Sequence, residues 1–445
     1  MNIQQLRQSL SGELRTDDVT RIAYSTDASA YQQEPLAVAF PKHESDIITL
    51  VKFAGQHGVG LIPRTAGTSL AGQVVGDGIV VDVSRHFQRI LQIDSDSQSV
   101  LVQPGVIRNE LNAALRPHSM WFGPETSTQN RAMMGGMLGN NSCGSNSIKF
   151  GSVRDHILQV RAVLSDGSIA TFGELDPSGF ESACGDGDGE RGDAANKPLL
   201  QRLYGETRQL LGNVQVRDSI RGGFPKPTVL RRNTGYALDA LMDASCFDQQ
   251  SGAPFNFCKL IAGSEGTLCF VTQMRLRCLP LPPTESGLMC IHFRSVDAAL
   301  RATQIAVTHD CYACELMDHH ILDATLRSLQ HRENRFFLEG EPAAILVVEF
   351  RGDDRESVAR QFAALRQMLS TSDLGYAYPI LVGDDCDRVW ELRKAGLGLL
   401  SNLPGDAKPA PVIEDTAVDV NDLPRYIGEF NQLLTQQFGL QCVHY

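Results

Sequence analysis

The sequence predicts an α+β protein of more than one domain, and three observations carry this. Glycine-rich segments recur far apart in the chain, each beside a predicted strand: Pro63 to Ser69, Gly123 to Gly151, and Gly263 to Leu268. After Pro280-Leu281-Pro282-Pro283 the pattern becomes a regular alternation of strands and helices. The length, 445 residues, exceeds what a single hydrophobic core organises.

Residues 1–40 read as a short helix and a loop from Tyr24 to Ser29. Ser45-Asp46 marks a helix start, Ile47, Ile48, Val51 and Ala54 recur at helical spacing, and Gly58 stops the helix. Val59 to Pro63 reads as a short buried strand, 79–83 and 99–103 as strands, and 106–115 as a helix. The stretch from Gly123 to Gly151 has too little periodicity to be helix or strand throughout, and irregular stretches of that length are usually functional. Ile157 to Leu164 is a strand closed by a hairpin turn, Ser165-Asp166-Gly167-Ser168. Residues 185–193 read as a flexible, acidic, glycine-rich surface loop with no chemistry, and 221–238 as an ordered stretch. Strands near 259–262 and 273–278 bracket the third glycine motif.

Beyond Pro283 the expected order is strand 286–293, helix 296–308, strand 312–317, a helix and strand 343–350. A helix from 354, a short strand near 379–381, a helix from 386, strand 411–418 and a final helix follow. That order suggests a split βαβ, ferredoxin-like α+β domain. The expected domains are 1–280 and 281–445. The second is expected to be incomplete at its C-terminal edge, because Gln441 to Tyr445 heads into a strand with no polar tail.

A net charge of −12 argues against non-specific binding to nucleic acid or anionic membranes. No apolar run reaches the ~20 residues that span a bilayer, and Met1 to Gln5 does not open a signal peptide. Eleven scattered cysteines fit reduced thiols and a cytoplasmic location. Cys311 and Cys314 form a single C-x-x-C in a predicted strand and read as incidental buried thiols, since metal clusters need about four ligands. Homo-oligomerisation is left open.

Glycine lets a backbone approach a bulky ligand, and successive amides make a concavity suited to a diphosphate. Three such stretches therefore suggest one large cofactor held by main-chain amides. On its own the first loop also reads as a tight strand-to-helix turn. Its spacing is not G-x-G-x-x-G, which disfavours a Rossmann dinucleotide site. Met133, Met134, Met137 and Leu138 could line an apolar side, but plain core packing is the preferred reading.

The segments PRTAGTSLAGQ, VQPGV, GPETSTQNRAMMGGMLGNNSCGSNSIKFGSVRDHI, NTGYALDAL and GSEGTL resemble the FAD-linked oxidase family with a PCMH-type FAD-binding domain. More narrowly they resemble bacterial FAD-binding dehydrogenases of D-2-hydroxy acids, in the large subgroup with a downstream iron–sulfur domain. The resemblance runs from about Asp27 to the end. It implies a two-subdomain α+β FAD fold, then a cap domain over the flavin. By resemblance Arg64, Thr65, Ala66, Gly67, Thr68 and Ser69 bind the pyrophosphate. Glu125, Ser127, Gly136, Asn141 and Gly144 contact FAD, Ile157 touches the flavin through its backbone, and Glu265 holds the cofactor. Members with covalent FAD carry a histidine in the first loop; Thr68 stands there, which implies non-covalent FAD.

In the cap, Trp390-Glu391-Leu392-Arg393-Lys394 resembles the segment whose arginine binds the substrate carboxylate, which a planar guanidinium can meet at two points. Lys408 is a second candidate; both also read as solvated surface charge. Arg232 and Asn233 are further candidates to face the flavin. Tyr236 reads as a core residue with a tethered hydroxyl, and His156 as a structural hydrogen-bonder.

The family's metal motifs and four-cysteine runs are absent from these residues, and the adjacent His319-His320 do not replace them. Val443-His444-Tyr445 resembles the lead-in to the metal motif. A divalent metal and a 4Fe-4S cluster are therefore expected only in a longer chain, and the catalytic base is not assigned. The implied activity is oxidation of a 2-hydroxyglutarate- or lactate-like acid, with electrons passed to an unidentified acceptor other than oxygen. The competing readings are an FAD-binding module without turnover of its own and an NADPH-dependent reductase on the same fold.

Overall fold

The computed structural model describes residues 2–185, 198–232, 235–248, 250–402, 405–406, 409, 413 and 416–444. Its contacts divide the chain into two compact units. One comprises Met1–Ser142, Ser152–Phe224 and Asn233–Pro280; the other comprises Cys143–Gly151, Pro225–Arg232 and Leu281–Tyr445.

The first unit holds two main sheets. Strands β1 (Glu13–Arg15), β2 (Ala37–Phe40), β3 (Leu61–Arg64) and β4 (Ile79–Asp82) form one, in the order β1-β2-β4-β3. β2 and β3 run parallel to β4, and β1 runs antiparallel to β2. Parallel strands need a crossover. Helix Glu44–His57 supplies it between β2 and β3, and Gly58 ends it in the left-handed conformation, φ 64°. Ile47, Leu50, Val51 and Ala54 form its buried face.

The second sheet is antiparallel: β5 (Ile90–Asp94), β6 (Ser99–Val102), β8 (Ile157–Val163), β9 (Ile169–Phe172) and β10 (Phe270–Arg277), in the order β5-β6-β10-β8-β9. β7 (Met120–Trp121) pairs with β11 (Leu279–Pro280) outside it. The expected hairpin at 165–168 joins β8 to β9, with Val163 opposite Ile169. Arg161 of β8 and Thr272 of β10 bind Glu44 at 2.9 and 2.7 Å, which fixes the crossover helix against this sheet.

The second unit follows the order β12 (Glu285–Phe293), helix Val296–Ala306, β13 (Ala313–Asp318), helix His319–Leu326, β14 (Ala344–Gly352), helix Arg355–Thr371 and β15 (Ile380–Val382). The sheet order is β13-β14-β12-β15, antiparallel throughout, which is the expected ferredoxin-like arrangement. Both faces are covered. Met289, Ile291 and Phe293 pack with helices Val296–Ala306 and Arg355–Thr371. Leu288 and Cys290 pack with helices His319–Leu326 and Asp384–Ser401. A strand buried on both sides reads as a continuous apolar run, as β12 does.

Several expectations fail. Cys258–Ile261 is one helical turn, not a strand, because four apolar residues carry no decisive period. The second glycine segment contains a helix, Met134–Asn140. β1, β2 and β5 lie where no strand was expected. Residues 416–418 of the expected strand 411–418 are in no ladder. The acidic loop lies outside the described residues beyond Gly185.

His292 of β12 is fully buried. Its Nδ1 lies 2.9 Å from the Cys290 carbonyl, and the Glu339 N–H donates to Nε2 at 3.2 Å. Nδ1 therefore carries the proton and the ring is neutral. Burial pushes its pKa below the ordinary value, against the opposing pull of the Cys290 carbonyl and Glu339. Unfolded histidine takes up its proton near pH 6.5, whereas the folded ring does so only at lower pH. The unfolded state binds more protons in that window. This contribution to stability is fully present above about pH 6.5 and is lost as pH falls. The urea midpoint should drop below that pH, and His292→Gln should flatten the slope; equal slopes in the two proteins would refute the assignment.

Candidate functional site

The first and third glycine segments and the second as far as Ser142, distant in sequence, converge within the first unit. The first leaves the C-terminal end of β3 at Arg64. Gly67 has φ +66°, and a Cβ there would stand 2.7 Å from the Arg64 guanidinium. The second supplies helix Met134–Asn140. A Cβ on Gly136 would stand 2.7 Å from Thr65 Oγ1, so a side chain there would require the Thr65 hydroxyl to move. A Cβ on Gly135 would stand 2.5 Å from Pro104 Cβ; the Gly135 N–H donates to the Pro104 carbonyl at 2.8 Å.

The third segment closes on both. Glu265 takes a left-handed conformation, φ 53°, and its N–H donates to the Gly139 carbonyl at 2.9 Å. Its carboxylate accepts from Asn140 Nδ2 at 3.4 Å. Gly266, φ +73°, would place a Cβ 3.1 Å from Pro63. Thr65, Gly136, Asn141 and Glu265 are thus brought together, with Ala66, Gly67, Thr68 and Ser69 continuing the first loop. Ser69 Oγ is buried and without a hydrogen-bond partner among the described residues.

The remaining candidates are distributed differently. Ile157 is buried where β8 begins, opposite Leu276. Glu125 and Ser127 sit in a turn anchored by Arg108, whose guanidinium donates to Pro124 O at 3.2 Å, Phe122 O at 3.3 Å and Gln129 Oε1 at 2.6 Å. Gly144 belongs to the segment Cys143–Gly151, which clusters with the second unit. Arg393, also in that unit, pairs with Glu315 at 2.7 Å, each side chain 17% exposed; the solvated-surface reading fails for it. Lys408 and Asn233 lie outside the described residues.

Tyr236 is not a core residue: it is 45% exposed. Its hydroxyl lies 2.7 Å from Thr267 Oγ1, which itself donates to the Ser264 carbonyl. His156 is buried edge-on to Phe122 at 5.6 Å. Met134 and Met137 are core residues, as the packing reading expects. Among the described residues no three His, Cys, Asp or Glu side chains are placed to hold a metal ion.

Two buried arginines escape sequence reasoning, because arginine is ordinarily a surface residue. Arg108, 6% exposed, orders the turn that carries Glu125. Burial draws its pKa below the ordinary value, against the opposing charge of Glu125. Arg154 donates its own N–H to Asn141 Oδ1 at 2.8 Å. Its guanidinium donates to the Lys259 and Ala262 carbonyls at 2.9 and 2.6 Å, tying the second glycine segment to the third.

Known proteins are similar to this chain. Residues 35–173 match the FAD binding domain family, and residues 282–445 match the FAD linked oxidases C-terminal domain family. The chain belongs to the FAD-linked oxidases. It is 33% identical to the D-2-hydroxyglutarate dehydrogenase of Haemophilus influenzae over 97% of this chain and 42% of that protein. The Escherichia coli enzyme of the same name is 32% identical over 96% of this chain and 41% of its own length. The chain thus spans less than half the length of these relatives. The glycolate oxidase subunit GlcD of Bacillus subtilis is 23% identical over 95% of this chain and 74% of that protein. Among solved structures, alkyldihydroxyacetonephosphate synthase aligns with a TM-score of 0.58 at 15% identity, over 95% of this chain and 72% of its own. That likeness concerns the fold, which is the PCMH-type α+β fold.

The cofactor of this FAD-linked oxidase is FAD. The first unit fits its diphosphate: a glycine loop with an unpartnered hydroxyl at Ser69, faced by Gly136, where a side chain would fill the approach. Among the described residues no helix is long and apolar enough to cross a membrane.

Proposed function

We propose that this chain carries the flavin site of an enzyme that oxidises a D-2-hydroxy acid, 2-hydroxyglutarate- or lactate-like, to the 2-oxo acid. The observation that carries the reading is the convergence of Thr65, Gly136 and Glu265 from three glycine segments, in a chain one-third identical to D-2-hydroxyglutarate dehydrogenases. Bound FAD supplies the acceptor for the hydride leaving the α-carbon. The amides of Thr65 to Ser69 hold the diphosphate, and Thr68, which has no nucleophilic imidazole, leaves the attachment non-covalent. Arg393 and Lys408 are the candidates for the substrate carboxylate, and Arg393 is held by Glu315 for that role. The electron acceptor is a partner other than oxygen, and the location is cytoplasmic.

The test is anaerobic addition of D-2-hydroxyglutarate and D-lactate to the FAD-loaded chain. Loss of the flavin's visible absorbance is the expected result. Because the chain spans 42% of the Haemophilus influenzae relative, a second reading is an FAD-binding part that needs further protein for turnover. Tight FAD binding with no reduction by either acid would favour that reading over the first. Reduction by NADPH alone would overturn both.

A further inference from the structure

Tyr24 and Asp82, behind the first glycine loop, have no role in the readings above, and their geometry around Arg64, which the resemblance assigns to the pyrophosphate, is specific. Arg64 and Asp82 end the parallel strands β3 and β4 and stand opposite each other in the register. Tyr24 bridges them. Its hydroxyl donates to Asp82 Oδ2 at 2.6 Å, and its ring lies under the Arg64 guanidinium, 5.0 Å from ring centroid to the central carbon. Asp82 is buried, 3% exposed, and its other oxygen accepts the Ser84 N–H at 2.7 Å. Arg64 Nη1 donates to the Thr26 carbonyl at 2.9 Å and is 3.4 Å from the Tyr24 carbonyl. The same 24–33 loop reaches the far end of the glycine segment: a Cβ on Gly72, φ +77°, would meet the Tyr31 ring at 2.8 Å.

These contacts turn Arg64 back toward the 24–26 backbone and set its guanidinium where a side chain on residue 67 would stand. We propose that Tyr24 and Asp82 are positioning residues that hold Arg64 as a brace behind the Thr65–Ser69 loop, so that its amides are set for the diphosphate before FAD arrives. The proposal rests on FAD occupying that loop. Its physical basis is preorganisation: a loop already ordered loses less conformational freedom on binding. Burial, aided by the hydrogen bond to Asp82, lifts the Tyr24 hydroxyl to a pKa of about 12, so it stays a donor across the physiological range. Arginine suits the brace better than lysine because a planar guanidinium can stack on the ring while donating to backbone oxygens.

The test measures affinity for FAD and for ADP, which keeps the diphosphate without the flavin, together with the melting temperature of the FAD-free protein. Tyr24→Phe removes one buried hydrogen bond and should weaken FAD and ADP by the same factor, about fivefold to tenfold. Asp82→Asn should do likewise, and Arg64→Lys should lose at least as much. The FAD-free melting temperature of Tyr24→Phe should stay within about 3 °C of the wild type. Unchanged affinity in Tyr24→Phe and Arg64→Lys overturns the brace. So does a loss confined to FAD and absent for ADP, which would place the effect at the flavin end. A Tyr24→Phe protein already unfolded without FAD also overturns it, since the residue would then support the fold and not the loop. Wild-type protein that takes up no FAD would instead remove the site reading itself.

Discussion

Arg154→Leu is expected to lower the stability of the first unit by about 3 kcal/mol, the sum for two buried carbonyls that lose their donor. Those carbonyls belong to Lys259 and Ala262, at 2.9 and 2.6 Å from the guanidinium. Leucine fills part of the space but offers no hydrogen. The damage reaches the site, because Ala262 leads directly into Gly263 and Glu265. FAD affinity should therefore fall with stability, unlike in Tyr24→Phe. Gly263→Ala attacks the same junction from the other side: φ is +90°, and the new Cβ would stand 2.7 Å from Arg154 Nη2. The two changes share one contact, so the double variant should lose less than the sum of the singles. Urea unfolding of the three proteins checks this, and an Arg154→Leu midpoint equal to wild type would dismiss the arginine as a tie.

The parts of this protein that follow local rules were legible. Asp166-Gly167 makes its hairpin, Gly58 ends its helix in the left-handed conformation, and the alternation after Pro283 gives the ferredoxin-like order. Elements dictated by distant neighbours were not. Helix Met134–Asn140 contains three glycines and has poor intrinsic propensity. It forms because Met134 N–H and Gly135 N–H bond the Val106 and Pro104 carbonyls, and because Met137 and Leu138 reach the core. The converging loops were legible as glycine clusters, since close backbone approach leaves that mark in a sequence. Arg108 and Arg154 were not, because their partners are carbonyls spread over turns that only the folded chain assembles. Asn141 is a mixed case. It lies at the junction, but its side-chain oxygen accepts the Arg154 N–H.

Arg393 pairs with Glu315 and, in the proposed reading, is a candidate to bind the substrate carboxylate; a single substitution would confuse the two. It is paired with Glu315 at 2.7 Å with both side chains largely buried, so removing the guanidinium strands the Glu315 carboxylate. Arg393→Met should cost the second unit about 3 kcal/mol on that ground alone. Replacing both partners by apolar residues removes the stranded charge, and Arg393→Met with Glu315→Leu should recover most of the loss. Substrate recognition should not recover. If Arg393 meets the carboxylate of the hydroxy acid, the double variant remains folded yet reduces its flavin about a hundredfold more slowly, the scale of one lost charge-assisted contact. Glu315→Gln, which keeps the arginine and a hydrogen-bond acceptor, should retain most of the rate. A double variant that regains both stability and flavin reduction would make the pair purely structural and leave Lys408 to bind the carboxylate.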